Sequence, residues 1–370
     1  MYDLIVIGAG ASGLLSAALA SDNDLKTAVL ERNNMPAKKL YATGNGHCNF
    51  LNEKADGAAE IKTALEGIGV LGRADEEGRI YPRSNEASAV VDALVNASKK
   101  NGAEIICDCH VSDVLKRGDH FLIVTKDGRK FESRKLIIAT GGKAGIQFGC
   151  YGEGYKWAQY MGHRLVKPIP ALVPIECEED LKELHGVRVK GYVSVYCNDK
   201  LLGSDLGEIQ FTKDAVSGIC VMNLSRLVRL EDGLSYELSI DLFKDLDEEA
   251  LALCLGHQRE VFGDPLKGLI PEKLASYISN NYESDDCDLL AGILKNLRFH
   301  VKGTKGWADA QVTSGGIPAD EFDAETMESK IVPGLYFTGE IVDYDGPCGG
   351  YNLANAWMTA IKAARAVKEG

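Results

Sequence analysis

The chain opens Met1-Tyr2-Asp3-Leu4-Ile5-Val6-Ile7-Gly8-Ala9-Gly10-Ala11-Ser12-Gly13-Leu14-Leu15, and this stretch decides the fold. Residues 3–7 are an apolar run without alternation, the pattern of a strand buried on both faces. Leu14, Leu15, Ala18 and Leu19 recur at helical spacing, and a second apolar strand over residues 27–30 ends on Glu31. Strand, glycine turn, helix, strand and acidic residue together predict a dinucleotide-binding α/β unit. Gly8 permits the tight turn, Gly10 lets the backbone approach a pyrophosphate, and Gly13 lets the helix pack on the strand. The helix start at Ala11 and Ser12 turns unpaired N–H groups and a positive dipole end toward the phosphates. Glu31 can accept hydrogen bonds from a ribose diol. The motif by itself leaves NAD and FAD level.

Length and composition set outer bounds. A chain of 370 residues predicts two or three domains. The net charge of −13 argues against nucleic acid and anionic membranes as partners and leaves a small-molecule substrate. None of the ten cysteines forms CxxC or a Cys/His cluster with ligand spacing, so no metal site is expected. The start on a core strand, without a charged leader, together with free cysteines predicts a reducing cytoplasm. The apolar stretch over residues 4–20 is broken by glycines and serines, so it is not read as a membrane span. Oligomeric state is not legible.

Further along, Lys38-Lys39-Leu40 leads into Thr43-Gly44-Asn45-Gly46-His47-Cys48-Asn49. This reads as a loop rich in backbone N–H, able to wrap a phosphate or a flavin edge, or else as a plain surface turn. Residues 53–77 read as polar helix, residues 78–84 as a turn, and Ser84 as the cap of a helix carrying Val90, Val91, Leu94 and Val95. Strands are expected over 104–107, 111–115, 120–125 and 136–140, with Asp127-Gly128 as a hairpin turn and Thr140-Gly141-Gly142 closing the last strand beside a cofactor. Pro168, Pro170 and Pro174 mark extended linkers. Strands then dominate to residue 242, followed by helices over 247–260, 271–280 and 287–297. The last seventy residues return to the opening pattern. A short strand runs into Gly339-Glu340, and glycines lead into a long closing helix with Leu353, Ala356, Trp357, Ala360, Ile361 and Ala364 on its inner face.

These stretches jointly resemble the BaiN/YhiN-like family of FAD-dependent oxidoreductases. The residues that carry the resemblance are the Gly8–Gly13 turn, Lys39-Leu40-x-x-Thr43-Gly44-x-Gly46-x-Cys48-Asn49, Ala139-Thr140-Gly141-Gly142, Pro170-Ala171-Leu172-Val173-Pro174, Gly334-Leu335-Tyr336-Phe337-x-Gly339-Glu340 and Asp345-Gly346 with Gly349-Gly350-Tyr351-Asn352-Leu353. The resemblance implies FAD as the held cofactor. It also implies a discontinuous Rossmann-like FAD-binding domain (1–168 and 309–370) around an inserted β-rich domain (169–243, with a return at 299–308) and a small helical domain (244–298). It implies that Arg32, Lys39, the Thr43–Asn49 loop with Asn45, Thr140 to Gly142, and Gly339, Glu340, Asp343, Gly350, Tyr351, Asn352 and Leu353 join the glycine turn and Glu31 around FAD. Val111 would lend backbone contacts to adenine. The family commonly has Arg where this chain has His47.

The family's activities are NAD(P)H-linked reduction, including that of ring double bonds in oxidised bile acids, and an aminoacetone oxidase. The expected function is therefore an NAD(P)H-linked reductase of a small organic or ring-enone substrate. An FAD-dependent oxidase of a small amine or ketone and a non-catalytic flavin-binding regulator stand as alternatives. With no second GxGxxG, a nicotinamide donor would visit transiently. A reductase needs a proton donor, and Tyr351, Cys348 and His47 are the candidates near the flavin. No short CxxxxC-type spacing supports Cys48 and Cys348 as a redox pair. Specificity is expected from the insertion.

Overall fold

The structure, a computed structural model, describes residues 1–21, 25–229, 233–282 and 284–369. It divides into two compact units, Met1–Ile169 with Val312–Gly370, and Pro170–Gln311.

In the first unit, β1 (Tyr2–Ile7) pairs in parallel with β2 (Thr27–Leu30) on one side and with strand Lys130–Ile138 on the other. Leu4 to Ile7 are all buried, which is why the run lacks alternation. Glu104–Ile106 extends the sheet in parallel beyond β2, and the antiparallel strands Val111–Arg117 and His120–Thr125 form the opposite edge. Strand Lys130–Ile138 has two partners along one side. Residues 130–133 pair with 121–124, and residues 136–138 pair in parallel with Leu335–Phe337. That second pairing returns the end of the chain to the sheet next to β1's own neighbour. Helix α1 (Ala11–Ala20) packs against the closing helix Tyr351–Glu369, where alanines on both let the backbones approach.

Several local expectations change. Residues 53–77 are not one helix: helix Ala58–Gly67 stops ahead of Gly69, whose φ of +94° continues no helix, and Gly72–Ala74 pairs with Arg79–Pro82. The stretch read as a turn at 78–84 is therefore largely strand. Helix Ala87–Lys100 has Glu86, not Ser84, at its cap position, and Ser84 Oγ instead accepts from Glu86 N at 3.3 Å. Strand Lys130–Ile138 starts six residues before the apolar run, because Lys130, Glu132 and Arg134 alternate outward before both faces become buried. Pro168 and Pro170 sit in a strand, Val166–Ala171.

The second unit is a closed antiparallel barrel. Round it run Ile175–Cys177, Ala215–Ser217, Lys200–Phe211, Arg188–Cys197, Tyr236–Asp241 and Leu297–Thr304. Val193, Val195, Ile209, Phe211, Leu238 and Phe299 belong to the same apolar core as Leu251, Leu274 and Leu290 of helices Glu248–Phe262, Glu272–Tyr282 and Cys287–Lys295. Asp247 caps the first of these helices, accepting from Ala250 N at 2.8 Å. No helix among the described residues is long and apolar enough to cross a membrane.

One polar network in the first unit is sealed from water. The His163 side chain is fully buried, with Nδ1 3.0 Å from Glu321 Oε2 and Nε2 3.0 Å from Ser329 Oγ. Ser329 Oγ already accepts from Ile331 N and Val332 N, so it donates to Nε2, which fixes a neutral ring with its proton on Nδ1. Burial holds the His163 pKa down, and Glu321 offsets only part of that. Below about pH 6.5 the unfolded chain takes up a proton that the folded ring resists, so this contribution to stability is present at neutral pH and lost on acidification. The unfolding midpoint should fall between pH 7 and pH 5.5. His163→Gln should cost about 1–3 kcal/mol at pH 7 and give a shallower fall. Equal slopes in the two proteins would refute the assignment.

Candidate functional site

The glycine turn contains two kinds of glycine. Gly8 has φ +104°, and a methyl there would lie 2.5 Å from Ala139 O. At Gly13 a methyl would lie 1.9 Å from Gly8 O. Both positions are glycine because the protein itself fills the space. Gly10 differs: its φ of −82° suits any residue, and nothing lies within 4 Å of where its Cβ would be. Protein packing does not require glycine at Gly10, so close approach of a ligand is the remaining physical reason. No side chain caps α1 and its first turn holds no acid, which leaves its N-terminus suited to an anion.

Around this turn the fold gathers residues far apart in sequence. Ala139 and Thr140 abut Gly8, and Gly339 abuts Ser12, where a methyl on Gly339 would lie 2.5 Å from Oγ. Lys39 Nζ is 2.6 Å from Glu340 Oε2, while Glu340 Oε1 accepts from Thr313 N at 2.8 Å. Burial presses the Lys39 ammonium toward a lower pKa, but the charge of Glu340 outweighs it and the net shift is upward, so Lys39 stays cationic. Thr313 Oγ1 accepts from Lys143 N and Ala144 N, and a methyl on Gly142 would strike Thr313. Gly141 has φ +69° and faces open space as Gly10 does. The buried hydroxyls of Thr140 and Thr338 have no partner among the described residues. Open space at Gly10 and Gly141 beside the uncapped N-terminus of α1 fits an elongated polar ligand such as FAD.

A second group lies at the β2 end. The buried Glu31 carboxylate accepts from Ala9 N at 2.9 Å through Oε2, and from Asn33 N and Nδ2 at 2.8 Å through Oε1. One lone pair on Oε2 is left for a ribose hydroxyl. Cys109 N donates to Glu31 O, bringing the approach to Val111 alongside. Val111 is buried, and the ladder skips Ser112 beside it. Arg32 is committed to the protein, ion-paired with Glu153 and lying 4.5 Å from the Tyr151 ring centroid.

A third group joins the Thr43–Gly46 turn to the start of the closing helix. Gly44 and Asn45 are both left-handed, as is Cys48. Asn49 donates to Leu51 O and accepts from Gly350 N once its amide is oriented to satisfy both. Asn52 Nδ2 donates to Gly349 O at 2.8 Å, and a methyl on Gly350 would lie 2.5 Å from the Leu51 backbone. Asn352 is spent on its own loop, bonding Gly346 N and O at 2.9 Å. Asp343 is exposed and Leu353 half-buried.

The three candidate proton donors stand in different surroundings. Tyr351 is half-buried against Gly346, Cys348 is half-buried next to Gly349, and His47 is exposed with Nδ1 2.9 Å from Asn85 O. Cys48 is fully buried, its thiol pushed up to about 11 by burial, which is unfavourable for a redox nucleophile. Asn85 and Tyr155 (whose hydroxyl donates to Glu340 O) lie in no motif of the sequence. Thr313 alone had a signal, since it leads a glycine pair.

The family model described as HI0933-like protein Rossmann domain matches residues 57–366. The chain is 31% identical to the 3-dehydro-bile acid delta(4,6)-reductase of Clostridium scindens, covering 98% of both. It is 28% identical to the ribosomal RNA dihydrouridine synthase of Escherichia coli, covering 98% of this chain and 97% of that one. In fold it is similar to the 3-ketosteroid-delta4-(5alpha)-dehydrogenase from Rhodococcus jostii RHA1, with a TM-score of 0.52 and 14% identity over 100% of this chain and 97% of that one. The open-faced glycine turn and its gathered partners thus stand in a chain that belongs to the HI0933-like Rossmann family and is an FAD-dependent oxidoreductase.

Proposed function

We propose that the protein is an NAD(P)H-linked reductase that saturates a carbon–carbon double bond conjugated to a carbonyl in a small ring substrate. The observation that carries this reading is the near end-to-end similarity to a protein named as the delta(4,6)-reductase of a 3-dehydro-bile acid. In this reading the amides behind Gly10, Ala11, Ser12 and Gly13 hold the pyrophosphate, and Glu31 holds the ribose. The Thr43–Asn49 loop and the segment from Gly339 to Leu353 flank the flavin. Bound FAD supplies hydride transfer. Lys39 and Glu340, locked to each other and to Thr313, keep three of these segments in register. The ten unpaired cysteines support a cytoplasmic enzyme.

A second reading has its own support in the relative named as a ribosomal RNA dihydrouridine synthase. The uracil ring also presents a double bond conjugated to a carbonyl, so the two readings share their chemistry and differ in the size and charge of the substrate. The net charge of −13 favours the small substrate.

Anaerobic mixing with NADH or NADPH should bleach the flavin absorbance, and 4-androstene-3,17-dione should restore it. Absence of bleaching with either nucleotide would sink the reductase reading. Recolouring by transcribed ribosomal RNA but not by the enone would favour the second reading. Peroxide formed from a small amine would favour an oxidase, and a flavin that no donor reduces would favour a regulator.

A further inference from the structure

We infer that His47 is the proton donor for the reduced substrate, its ring locked by the Asn85 carbonyl and its Nε2 serving the cleft beside it; this rests on the reductase reading above. His47 Nδ1 lies 2.9 Å from Asn85 O. A carbonyl oxygen only accepts, so Nδ1 carries the proton of the neutral ring and any second proton enters and leaves at Nε2. Among the described residues Nε2 has no partner, and the residue is exposed, so it can exchange protons with substrate and solvent. The lock is built into the backbone. Asn85 has φ +59°, its N–H is held by Pro82 O at 2.8 Å, and this left-handed turn orients its carbonyl.

The surroundings point to a substrate site. A cleft of about 480 Å³ is lined by Arg73, Asp75, Glu76, Glu77, Arg79, Tyr81 and Asn85, and His47 adjoins it through its contact with Asn85. Its wall meets both segments assigned to the flavin. The Tyr81 ring lies 4.0 Å from where a Gly44 methyl would be, and the Arg79 stem lies 3.8 Å from that position on Gly349. The Arg79 charge is already engaged by Asp75 and Glu77, each at 2.7 Å, so the cleft suits a neutral carbonyl compound better than a polyanion. In the step, the double bond is reduced: hydride forms one C–H bond, and the proton on Nε2 forms the second. The N–H electron pair stays on Nε2, and solvent restores the proton.

The test uses the FAD-loaded protein and two variants, His47→Gln and His47→Ala. Ring ¹⁵N spectra, with His47 assigned by its loss in H47Q, should show Nδ1 protonated and Nε2 bare in the neutral ring. A proton on Nε2 instead overturns the inference without reference to turnover. After anaerobic reduction, reoxidation by 4-androstene-3,17-dione should slow by about 10²- to 10⁴-fold in H47Q, while reoxidation by ferricyanide, which needs no proton at carbon, should be unchanged. Imidazole should restore part of the enone rate in H47A. An unchanged enone rate in H47Q, or equal slowing with both acceptors, overturns the assignment. A wild-type protein that the enone never reoxidises is a failure of the reductase reading and takes the assignment with it.

Discussion

A Gly13→Ala chain is expected to lose stability and flavin together, whereas Gly10→Ala loses flavin alone. Alanine ordinarily stabilises a helix relative to glycine by roughly 0.5–1 kcal/mol. At Gly13 the sign reverses, because the added methyl would lie 1.9 Å from Gly8 O and the turn would have to open. A loss of about 3 kcal/mol or more follows, in the range of severe overpacking. At Gly10 the backbone suits alanine and nothing lies within 4 Å, so the apoprotein should unfold within about 0.5 kcal/mol of wild type. Its methyl would occupy the space of the pyrophosphate, and loss of one or two charge-assisted hydrogen bonds lowers FAD affinity by about 10- to 100-fold. Thermal unfolding of the apoproteins and flavin retained per protein separate the two variants. Full FAD affinity in G10A would mean that no phosphate approaches Gly10.

Trp357 carries the second large effect. It is fully buried in the closing helix, and its Nε1 donates to Phe50 O at 2.7 Å. Trp357→Ala should cost about 3–5 kcal/mol through the cavity it leaves. Trp357→Phe keeps most of the ring volume but leaves the Phe50 carbonyl unmet, for about 1–3 kcal/mol. Phe50 lies between Asn49 and Leu51, the residues that meet Gly350, so the milder variant should also weaken flavin retention. The measurement is denaturant unfolding alongside the flavin visible spectrum. A W357F protein with wild-type stability and spectrum would show that the bond does not position this loop.

Much of the fold was legible because burial writes itself into period. Residues 4–7 of β1 and 28–30 of β2 are apolar throughout since both faces are covered, and the closing helix shows its inner face at helical spacing. The errors fall where tertiary pairing overrides local pattern. Gly72–Ala74 forms a strand because it finds Arg79–Pro82, which also pairs with Leu51–Asn52, and strand Lys130–Ile138 gains its first half from His120–Thr125. The site divides in the same way. Gly8, Gly10, Gly13 and Glu31 lie in one short stretch whose spacing has a single geometric use. The Lys39–Glu340 pair spans 301 residues and the Thr313 bonds to Lys143 and Ala144 about half that, and no local pattern encodes either.

The amino-acid order alone determined a dinucleotide turn, its helix and acidic residue, and a chain end that returns to them, because glycine conformation and apolar period are local properties. The tertiary structure decided what surrounds each glycine. Gly8 is crowded by Ala139, more than a hundred residues away, and Gly13 chiefly by the Gly8 carbonyl, while Gly10 opens on space. It also decided the His47 tautomer, since the Asn85 carbonyl that fixes it is brought alongside by the turn after strand Arg79–Pro82.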